Sequence, residues 1–246
     1  MKTAVVTGGT RGIGKAISLQ LARSGVKVFA LYARNRKAAE EIETIAKNEN
    51  LPIKTLRGDL TDNEKLEELL NEIKANTNQV DILVHAAASG VHNTALELSE
   101  KHLKWTFNVN VFSVHNLMQG IAPLFVDGSR VVGITSSGGT HTIPYYAAVG
   151  SSKGALESLF RHYAVEFAPK GIAVNLVCPG MVMTDAVEAF PEKEKRIEKC
   201  LSATPTGRMV TPEEVAEMVA FLTLSQAGKS IIGQTYIIDG GKCLMS

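Results

Sequence analysis

The stretch Ala4-Val5-Val6-Thr7-Gly8-Gly9-Thr10-Arg11-Gly12-Ile13-Gly14 decides the fold of this chain. Its apolar start predicts a buried β-strand, and the amphipathic pattern over Gly14–Ser24 predicts an α-helix after the glycines. Glycine lets a backbone turn tightly and come close to a pyrophosphate, which then binds the amide groups at the helix N-terminus. A glycine turn between a strand and a helix is therefore typical of a dinucleotide-binding α/β fold.

The same alternation of strand and helix continues through the 246 residues. Most of the strand-like runs are continuously apolar, as parallel strands are when both of their faces are buried. We therefore predict one domain over residues 1–246, a Rossmann-type doubly wound parallel sheet of seven strands with helices on both faces. The predicted strands are Ala4–Val6, Val26–Leu31, Ile53–Leu56, Ile82–Val84, Arg130–Ile134, Ala173–Val177 and Tyr236–Ile238. The predicted helices include Gly14–Ser24, Lys37–Asn48, Asn63–Lys74 and Pro212–Leu224, the last two with N-cap hydroxyls from Thr61 and Thr211.

Composition and charge exclude several classes of protein. Hydrophobic residues make up 45% of the chain, too many for a disordered protein, and the formal net charge of +1 provides no field for nucleic acid. No run approaches the roughly 18 apolar residues of a membrane-spanning helix. Met1-Lys2-Thr3 leads straight into the first strand, which argues against a signal peptide. The three cysteines are widely spaced, so no metal is predicted, and we expect a cytoplasmic protein without a nucleic-acid or membrane partner.

The segment after the second strand predicts which cofactor is bound. An NAD-binding chain usually offers an acidic residue to the adenosine ribose here, but residues 25–39 contain none and have Arg34, Arg36 and Lys37 instead. A guanidinium matches a 2′-phosphate in charge and geometry, so we predict NADPH, held by Arg34 with Arg11 in reach of the same phosphate. The alternative is that Arg36 and Lys37 only occupy the start of the next helix.

Motifs along the whole chain resemble those of the short-chain dehydrogenase/reductase family: Thr7–Gly14, Ala86-Ala87-Ala88, Asn110, Ser136, Lys153, and Cys178-Pro179-Gly180 through Thr184. The resemblance implies an active site of Ser, Tyr and Lys, in which Tyr usually comes four residues before Lys on one helix. It also implies a homodimer or homotetramer. The cofactor-binding residues that it implies are Gly8, Thr10, Arg11, Gly12, Ile13, Gly14, Arg34, Asp59, Leu60, Ala86, Lys153, Pro179, Gly180, Val182 and Thr184.

The usual tyrosine position is occupied by Val149, which has no proton to donate. Tyr146 lies seven residues before Lys153, about two helical turns away and nearly on the same helix face, whereas Tyr145 is rotated by about 100° around the helix. We therefore predict Tyr146 as the catalytic tyrosine, anchored about 4.5 Å along the helix from the usual position.

This displacement favours a particular reaction. A ketoreductase needs its proton donor at the oxygen on the carbon that receives hydride, whereas in an enoyl thioester the negative charge collects on the thioester oxygen two carbons away. A tyrosine seven residues before the lysine is the arrangement of enoyl-acyl-carrier-protein reductases, and the chain resembles their NADPH-dependent type III branch. The matching segments are Tyr32-Ala33-Arg34, Ala87-Ala88-Ser89-Gly90-Val91, Val149-Gly150 before Ser152-Lys153, and Thr204-Pro205-Thr206-Gly207-Arg208-Met209-Val210.

The resemblance implies NADPH-dependent reduction of the 2,3-double bond of an enoyl thioester, carried on acyl carrier protein, in fatty acid synthesis. A 3-oxoacyl-thioester or other carbonyl reductase is the alternative, and a non-catalytic NADPH-binding sensor is a further one. Two departures bear on the substrate: His85 and Ala86 stand where the family commonly has two asparagines, and Cys178-Pro179-Gly180 follows the broader family. His85 is expected to be at most a wall of the cofactor site, and His92 a surface or core residue.

The active-site candidates have expected roles. Tyr146 stabilises the enolate that hydride transfer forms, and Lys153 binds the nicotinamide ribose and lowers the pKa of Tyr146. Ser136 hydrogen-bonds the substrate or forms a turn, with Ser137 competing for the role. Asn110 supports Lys153 or is structural.

Other candidates lie around the entrance. Asp59 binds the adenine amino group or caps a helix, and Thr184 binds the nicotinamide amide or a phosphate. The irregular residues 182–205 are interpreted as a substrate lid, with a surface insertion as the alternative. Their charged part offers carrier-protein docking residues or a solvated helix face, formed by Lys193, Lys195 and Arg196.

Overall fold

The computed structural model describes residues 1–184, 187 and 192–245, and its centre is one parallel sheet. Seven strands in the described residues follow the order β3-β2-β1-β4-β5-β6-β7. Every neighbouring pair is parallel, so the predicted Rossmann-type doubly wound sheet is confirmed. The strands are β1 (Thr3–Thr7), β2 (Lys27–Tyr32), β3 (Ile53–Arg57), β4 (Val80–His85), β5 (Phe125–Ile134), β6 (Ala173–Pro179) and β7 (Thr235–Ile238).

Helices connect the strands and cover both faces of the sheet. They are α1 (Gly12–Arg23), α2 (Arg36–Asn48), α3 (Asn63–Asn76), α4 (Glu100–Phe107), α5 (Ser113–Ile121), α6 (Ala147–Phe167), α7 (Lys193–Ala203) and α8 (Pro212–Leu224). A π-helical turn over Asn108–Phe112 joins α4 to α5. In the described part of the chain, no helix has the length and apolar character needed to cross a membrane.

Two apolar cores lie on opposite faces of the sheet. Alternate strand residues feed them, so that Val5 and Leu83 pack with α3, α5 and α6 on one face, while Val6 and Val84 pack with α1 and α8 on the other. This is why the strands read as continuous apolar runs in the sequence. Each fully buried Leu, Ile or Phe side chain contributes roughly 1.5–3 kcal/mol to folding.

The position of a ligand follows from the strand order. The connection after β1 leads to β2 on one side, while the connection after β4 leads to β5 on the other side. A crevice therefore opens beyond the carboxyl ends of β1 and β4, where open α/β sheets bind ligands.

One of the two predicted threonine N-caps is confirmed and the other is wrong. Thr211 caps α8 in a reciprocal capping box with Glu214. At α3 the N-cap is Asp62, whose carboxylate accepts the N–H groups of Glu64 and Lys65. Thr61 lies one residue before this N-cap, and its hydroxyl donates to the carboxylate of Asp59 at 2.7 Å instead.

We expect Thr211→Ala to lower the free energy of unfolding by about 1 kcal/mol, because the N–H of Glu214 loses its acceptor in the first turn of α8. Urea denaturation followed by circular dichroism measures this change. Thr44→Ala, in the middle of α2, is the matched control, and its effect should stay within about 0.5 kcal/mol. Equal losses for both variants would contradict the capping argument.

Candidate active site

The turn between β1 and α1 is shaped to receive an anion. Gly8 has φ +63°, and a Cβ on Gly14 would lie 2.1 Å from the carbonyl oxygen of Gly8, so a side chain at position 14 is excluded. The N-cap of α1, Arg11, makes no side-chain cap, and the first turn contains no acidic residue. In contrast, α2, α3, α4 and α8 are all capped by side chains. The amide groups of α1 therefore fit a cofactor pyrophosphate.

A basic cleft of about 360 Å³ lies beside this turn. It is lined by Thr10, Arg11, Gly12, Lys15, Asn35, Lys37, Ala38 and Glu41. The side chain of Arg34, two residues after β2, is 80% exposed, and its Nη2 lies 3.9 Å from Oδ2 of Asp59. Arg36 instead donates to Glu40 at 2.8 Å along its own helix, so for Arg36 the helix-start interpretation holds.

Asp59 takes part in a turn after β3. Its Oδ1 accepts hydrogen bonds from the backbone and the hydroxyl of Thr61 at 3.0 and 2.7 Å. Burial acts to raise the pKa of Asp59. The hydrogen bonds from Thr61 and the charge of Arg34 outweigh this effect, so the pKa lies below its usual value. The capping interpretation of Asp59 is wrong, because Asp62 caps α3 and Asp59 only closes a turn with Thr61, and binding of adenine stays a prediction. Leu60 packs against the core on the α3 side.

The segment after β4 is held by the end of β1. The hydroxyl oxygen of Thr7 accepts the backbone N–H groups of Ala86 and Ala87 at 3.2 and 3.1 Å. It also lies 3.0 Å from Nδ1 of His85, whose side chain is completely buried. Burial, with the nearby charge of Lys153, lowers the pKa of His85 to about 3, so its imidazole is neutral at physiological pH.

The structure brings Tyr146 and Ser136 together. Tyr146 is the N-cap residue of α6 rather than part of the helix, because its φ of −114° is not helical. Its side chain is hydrogen-bonded to Ser136: burial raises the pKa of the Tyr146 hydroxyl, and this hydrogen bond partly offsets the rise. Ser136 also accepts the N–H of Gly138 at 3.2 Å, so it forms a turn as well. Tyr145 is turned toward Arg196 instead.

Val149 occupies the position where the family usually has tyrosine, and the structure leaves no room for one. Its side chain is 5% exposed. A Cβ added to Gly90 would lie 2.2 Å from Cγ2 of Val149, so the loop after β4 packs directly on it. A tyrosine at position 149 would displace this loop.

Lys153 lies on α6, seven residues after Tyr146, and is buried. Its Nζ donates to the carbonyl oxygen of Ile134 at 2.9 Å. Burial lowers the pKa of Lys153 to about 8, although the charge of Glu157, one turn further along α6, opposes this. The ammonium group is therefore mostly protonated at pH 7.

Asn110 acts through its neighbours. Its side-chain amide accepts from the N–H of Ser89 at 3.0 Å, and donates to the carbonyl of Ser89 at 2.8 Å and to the Ser152 hydroxyl at 2.9 Å. Asn110 thus ties the loop after β4 to α6, as the structural interpretation predicts, and its support of Lys153 stays a prediction.

His92 is a neighbour of Tyr146 that sequence reasoning missed. Their rings meet edge to face, with centroids 5.8 Å apart, and Asn93 pairs with Tyr146 in an isolated β-bridge. No sequence signal predicted this contact, because more than fifty residues separate the two segments.

The predicted lid is described in part. Residues 185, 186 and 188–191 lie outside the described residues. Thr184 lies close to the glycine turn, since a Cβ on Gly12 would be 3.2 Å from its Cγ2. Pro179 ends β6, Gly180 donates its N–H to Ile238, and Val182 pairs with Val210. In α7, Lys195 donates to Glu192, and Arg196 donates to the carbonyl of Pro144.

Comparison with known proteins shows the family. A family model described as Enoyl-(Acyl carrier protein) reductase matches residues 8–242. The chain is 32% identical over 249 residues to the 1-cyclohexenylcarbonyl-CoA reductase of Streptomyces collinus, covering 100% of this chain and 88% of that protein. It is 29% identical over 242 residues to a 3-oxoacyl-(acyl-carrier-protein) reductase of Staphylococcus epidermidis, covering 98% of each.

Solved structures agree with this result. A short-chain dehydrogenase/reductase from Serratia marcescens superposes with a TM-score of 0.90 at 31% identity, covering 98% of this chain and 97% of the other. A variant of actinorhodin polyketide ketoreductase with NADPH gives 0.89 at 26% identity, with the same coverage. The chain therefore belongs to the short-chain dehydrogenase/reductase family. It is an oxidoreductase, and a nicotinamide cofactor fits the glycine turn. Among the described residues, no group of His, Cys, Asp or Glu could hold a metal ion.

We expect Lys153→Met to change how stability depends on pH. Because the folded-state pKa of Lys153 is about 8 and its ordinary value is 10.5, burial of the charge disfavours folding below pH 8. This penalty disappears as the pH rises from 8 to 10.5. The free energy of unfolding of the native protein, relative to the variant, should therefore increase by up to about 3 kcal/mol over that window.

Urea denaturation at pH 7, 9 and 10.5 measures this difference. Lys104→Met, at an exposed position on α4, is the control and should show no such trend. A constant difference between native protein and Lys153→Met across the window would contradict the lowered pKa.

Proposed function

We propose that this chain reduces the 2,3-double bond of an enoyl thioester with NADPH. The observation that carries the proposal is the position of the proton donor: the Tyr146 hydroxyl is paired with Ser136, while Val149 fills the usual tyrosine position. The donor is thus displaced along the entrance to α6, in the sense required when negative charge collects two carbons away from the carbon that receives hydride.

Tyr146, Ser136 and Lys153 have separate roles in the proposed reaction. When bound, NADPH supplies hydride to C3 of the substrate. Because burial raises its pKa, Tyr146 stays protonated and donates its hydroxyl proton to the thioester oxygen as charge builds there. The resulting enol tautomerises to the saturated thioester: C2 takes a proton from water, and the proton on the oxygen returns to the tyrosinate. Ser136 orients the Tyr146 hydroxyl, and the buried ammonium of Lys153 stabilises the developing negative charge.

One relative supports this proposal directly. The acyl group named in 1-cyclohexenylcarbonyl-CoA carries its double bond next to the thioester carbonyl, and its reductase aligns with this chain from end to end. The description of the matching family model also names enoyl-acyl-carrier-protein reduction.

Carbonyl reduction is the second candidate, and relatives favour it. The 3-oxoacyl reductase of Staphylococcus epidermidis and the polyketide ketoreductase both act on carbonyl groups by name. A tyrosine hydrogen-bonded to a serine, with a buried lysine behind it, also suits protonation of a ketone oxygen. The two candidates therefore differ in the distance between the site of hydride transfer and the Tyr146 hydroxyl.

Oxidation of NADPH with crotonyl and acetoacetyl thioesters, measured in parallel at 340 nm, separates the two candidates. We expect the native protein to turn over the crotonyl substrate and Tyr146→Phe to be slower by about 100-fold or more, because the oxyanion loses its donor. Tyr145→Phe, which keeps the neighbouring ring, is the matched control and should retain activity. Turnover of acetoacetyl substrate alone would overturn enoyl reduction in favour of the second candidate. If neither thioester causes oxidation of NADPH, a non-catalytic sensor is favoured.

The preference for NADPH is also part of the proposal. Within the described residues, Arg34 has an ion pair with Asp59, and the two charged groups are 3.9 Å apart. This contact is loose, so the guanidinium of Arg34 is able to turn toward a 2′-phosphate. We expect Arg34→Gln to raise the KM for NADPH by roughly 10- to 100-fold and to leave the KM for NADH unchanged. Arg36→Gln is the control, since Arg36 is held by Glu40. Equal changes for both cofactors would count against a 2′-phosphate site at Arg34.

The remaining expectations belong to the same proposal. We propose acyl carrier protein as the substrate carrier, a homodimer or homotetramer as the assembly, and residues 182–205 of the single domain as the lid. Of the docking candidates, Lys195 is paired with Glu192 and Arg196 is engaged with Pro144 and Tyr145, so docking through these two would require them to leave those partners.

A further inference from the structure

The backbone immediately before Tyr146 adopts a conformation that is unfavourable for its residue. Tyr145 has φ +59°, in the left-handed region. A side chain with a Cβ clashes with its own backbone there, and for a bulky residue the conformation is an outlier. Asn50 and Glu192 are the other non-glycine residues with positive φ in the described ranges. Such outliers persist only where surrounding contacts hold them, and they cluster at functional sites.

Two sets of contacts hold Tyr145 in this conformation. The N–H of Tyr146 donates to the carbonyl oxygen of Ile143 at 3.1 Å and closes a turn with Tyr145 at its third position. Arg196 adds contacts from a distant part of the chain. Its Nη2 donates to the carbonyl oxygen of Pro144 at 3.0 Å, and its guanidinium lies over the ring of Tyr145, 5.6 Å from the ring centroid. One side chain of α7 therefore contacts both the peptide group before Tyr145 and the ring of Tyr145 itself. Only a planar guanidinium with several donors can make both contacts at once.

The other end of the segment is fixed independently. The carbonyl of Tyr146 accepts the N–H of Gly150 at 2.6 Å, and α6 is anchored by Lys153 on Ile134 and by Ser152 on Asn110. Because α6 is anchored, a change of φ at Tyr145 must be taken up at Tyr146, whose non-helical backbone joins the turn to the helix. The Tyr146 hydroxyl would then leave Ser136.

We infer that Arg196 is a positioning residue for Tyr146: by holding Tyr145 in the left-handed conformation, it places the Tyr146 hydroxyl at Ser136. This inference rests on the proposed role of Tyr146 as the proton donor. It holds for enoyl and for carbonyl reduction alike, since both use the same hydroxyl. According to this inference, α7 contributes to the site by positioning Tyr146, without contact with the substrate.

Glycine at position 145 provides a sharp test. We expect Arg196→Gln to lower kcat about 10-fold without changing the KM for NADPH, because Tyr145 relaxes to negative φ. Adding Tyr145→Gly should restore most of the lost turnover, since glycine adopts φ +59° without strain. Adding Tyr145→Ala should not, because alanine keeps the Cβ that causes the strain. Arg196→Lys, which keeps the charge and a donor, should lose less than Arg196→Gln.

Lys199→Gln, on an exposed position of the same helix, is the control and should keep the native kcat. Equal rescue by glycine and alanine, or no loss in Arg196→Gln, would overturn the inference. A change confined to the KM of the thioester would do the same, because it would make Arg196 a substrate contact.

A spectroscopic readout separates this inference from the proposed function. The ¹³Cζ resonance of labelled Tyr146 should shift in Arg196→Gln toward its position in Ser136→Ala, and return when Tyr145→Gly is added. If the native protein reduces neither thioester, the proposed function fails while this resonance still decides the inference. An unchanged resonance in Arg196→Gln would refute positioning by Arg196.

Discussion

The hydroxyl of Thr7 joins the two strand ends between which the site opens. Its oxygen accepts the backbone N–H groups of Ala86 and Ala87 and also lies within hydrogen-bond distance of Nδ1 of the buried His85, at 3.0 Å. The glycine turn begins directly after Thr7, and the loop over residues 86–93 begins at Ala86. This one buried side chain therefore fixes the spacing between the cofactor side and the substrate side of the crevice.

The loop over residues 86–93 then determines where the proton donor can come from. Asn110 holds Ser89 by both its N–H and its carbonyl, Gly90 packs on Val149, and Asn93 pairs with Tyr146. With the usual position filled by an apolar contact, the tyrosine hydroxyl that meets Ser136 comes from Tyr146, the N-cap residue of α6. The packing of this loop on Val149 is thus compatible with a tyrosine at position 146 and not with one at position 149.

Most of the fold was predictable because buried parallel strands and their glycine turn leave local patterns. The exception in β5 shows the limit: the strand begins at Phe125, five residues before the prediction, because Gly128 and exposed residues such as Val126 interrupt the apolar run. In the site, the choice of Tyr146 over Tyr145 followed from its spacing to Lys153, and Tyr146 is the tyrosine that meets Ser136. The non-helical backbone of Tyr146 and its contact with His92 did not follow from the sequence, because the segments that pack on this region, at Asn93 and Arg196, lie far from it along the chain.

Two unfavourable features lie close together in the sequence, at Tyr145 and at Lys153. The first of these residues has a strained backbone, and the last is a buried ammonium whose pKa falls to about 8. Neither would occur in a segment that served only packing, where glycine and methionine would be more stable. The two apolar cores on either side of the sheet supply the stability that tolerates both costs. Local disagreement with folding preferences therefore marks the chemical centre here more sharply than the glycine turn, which satisfies those preferences.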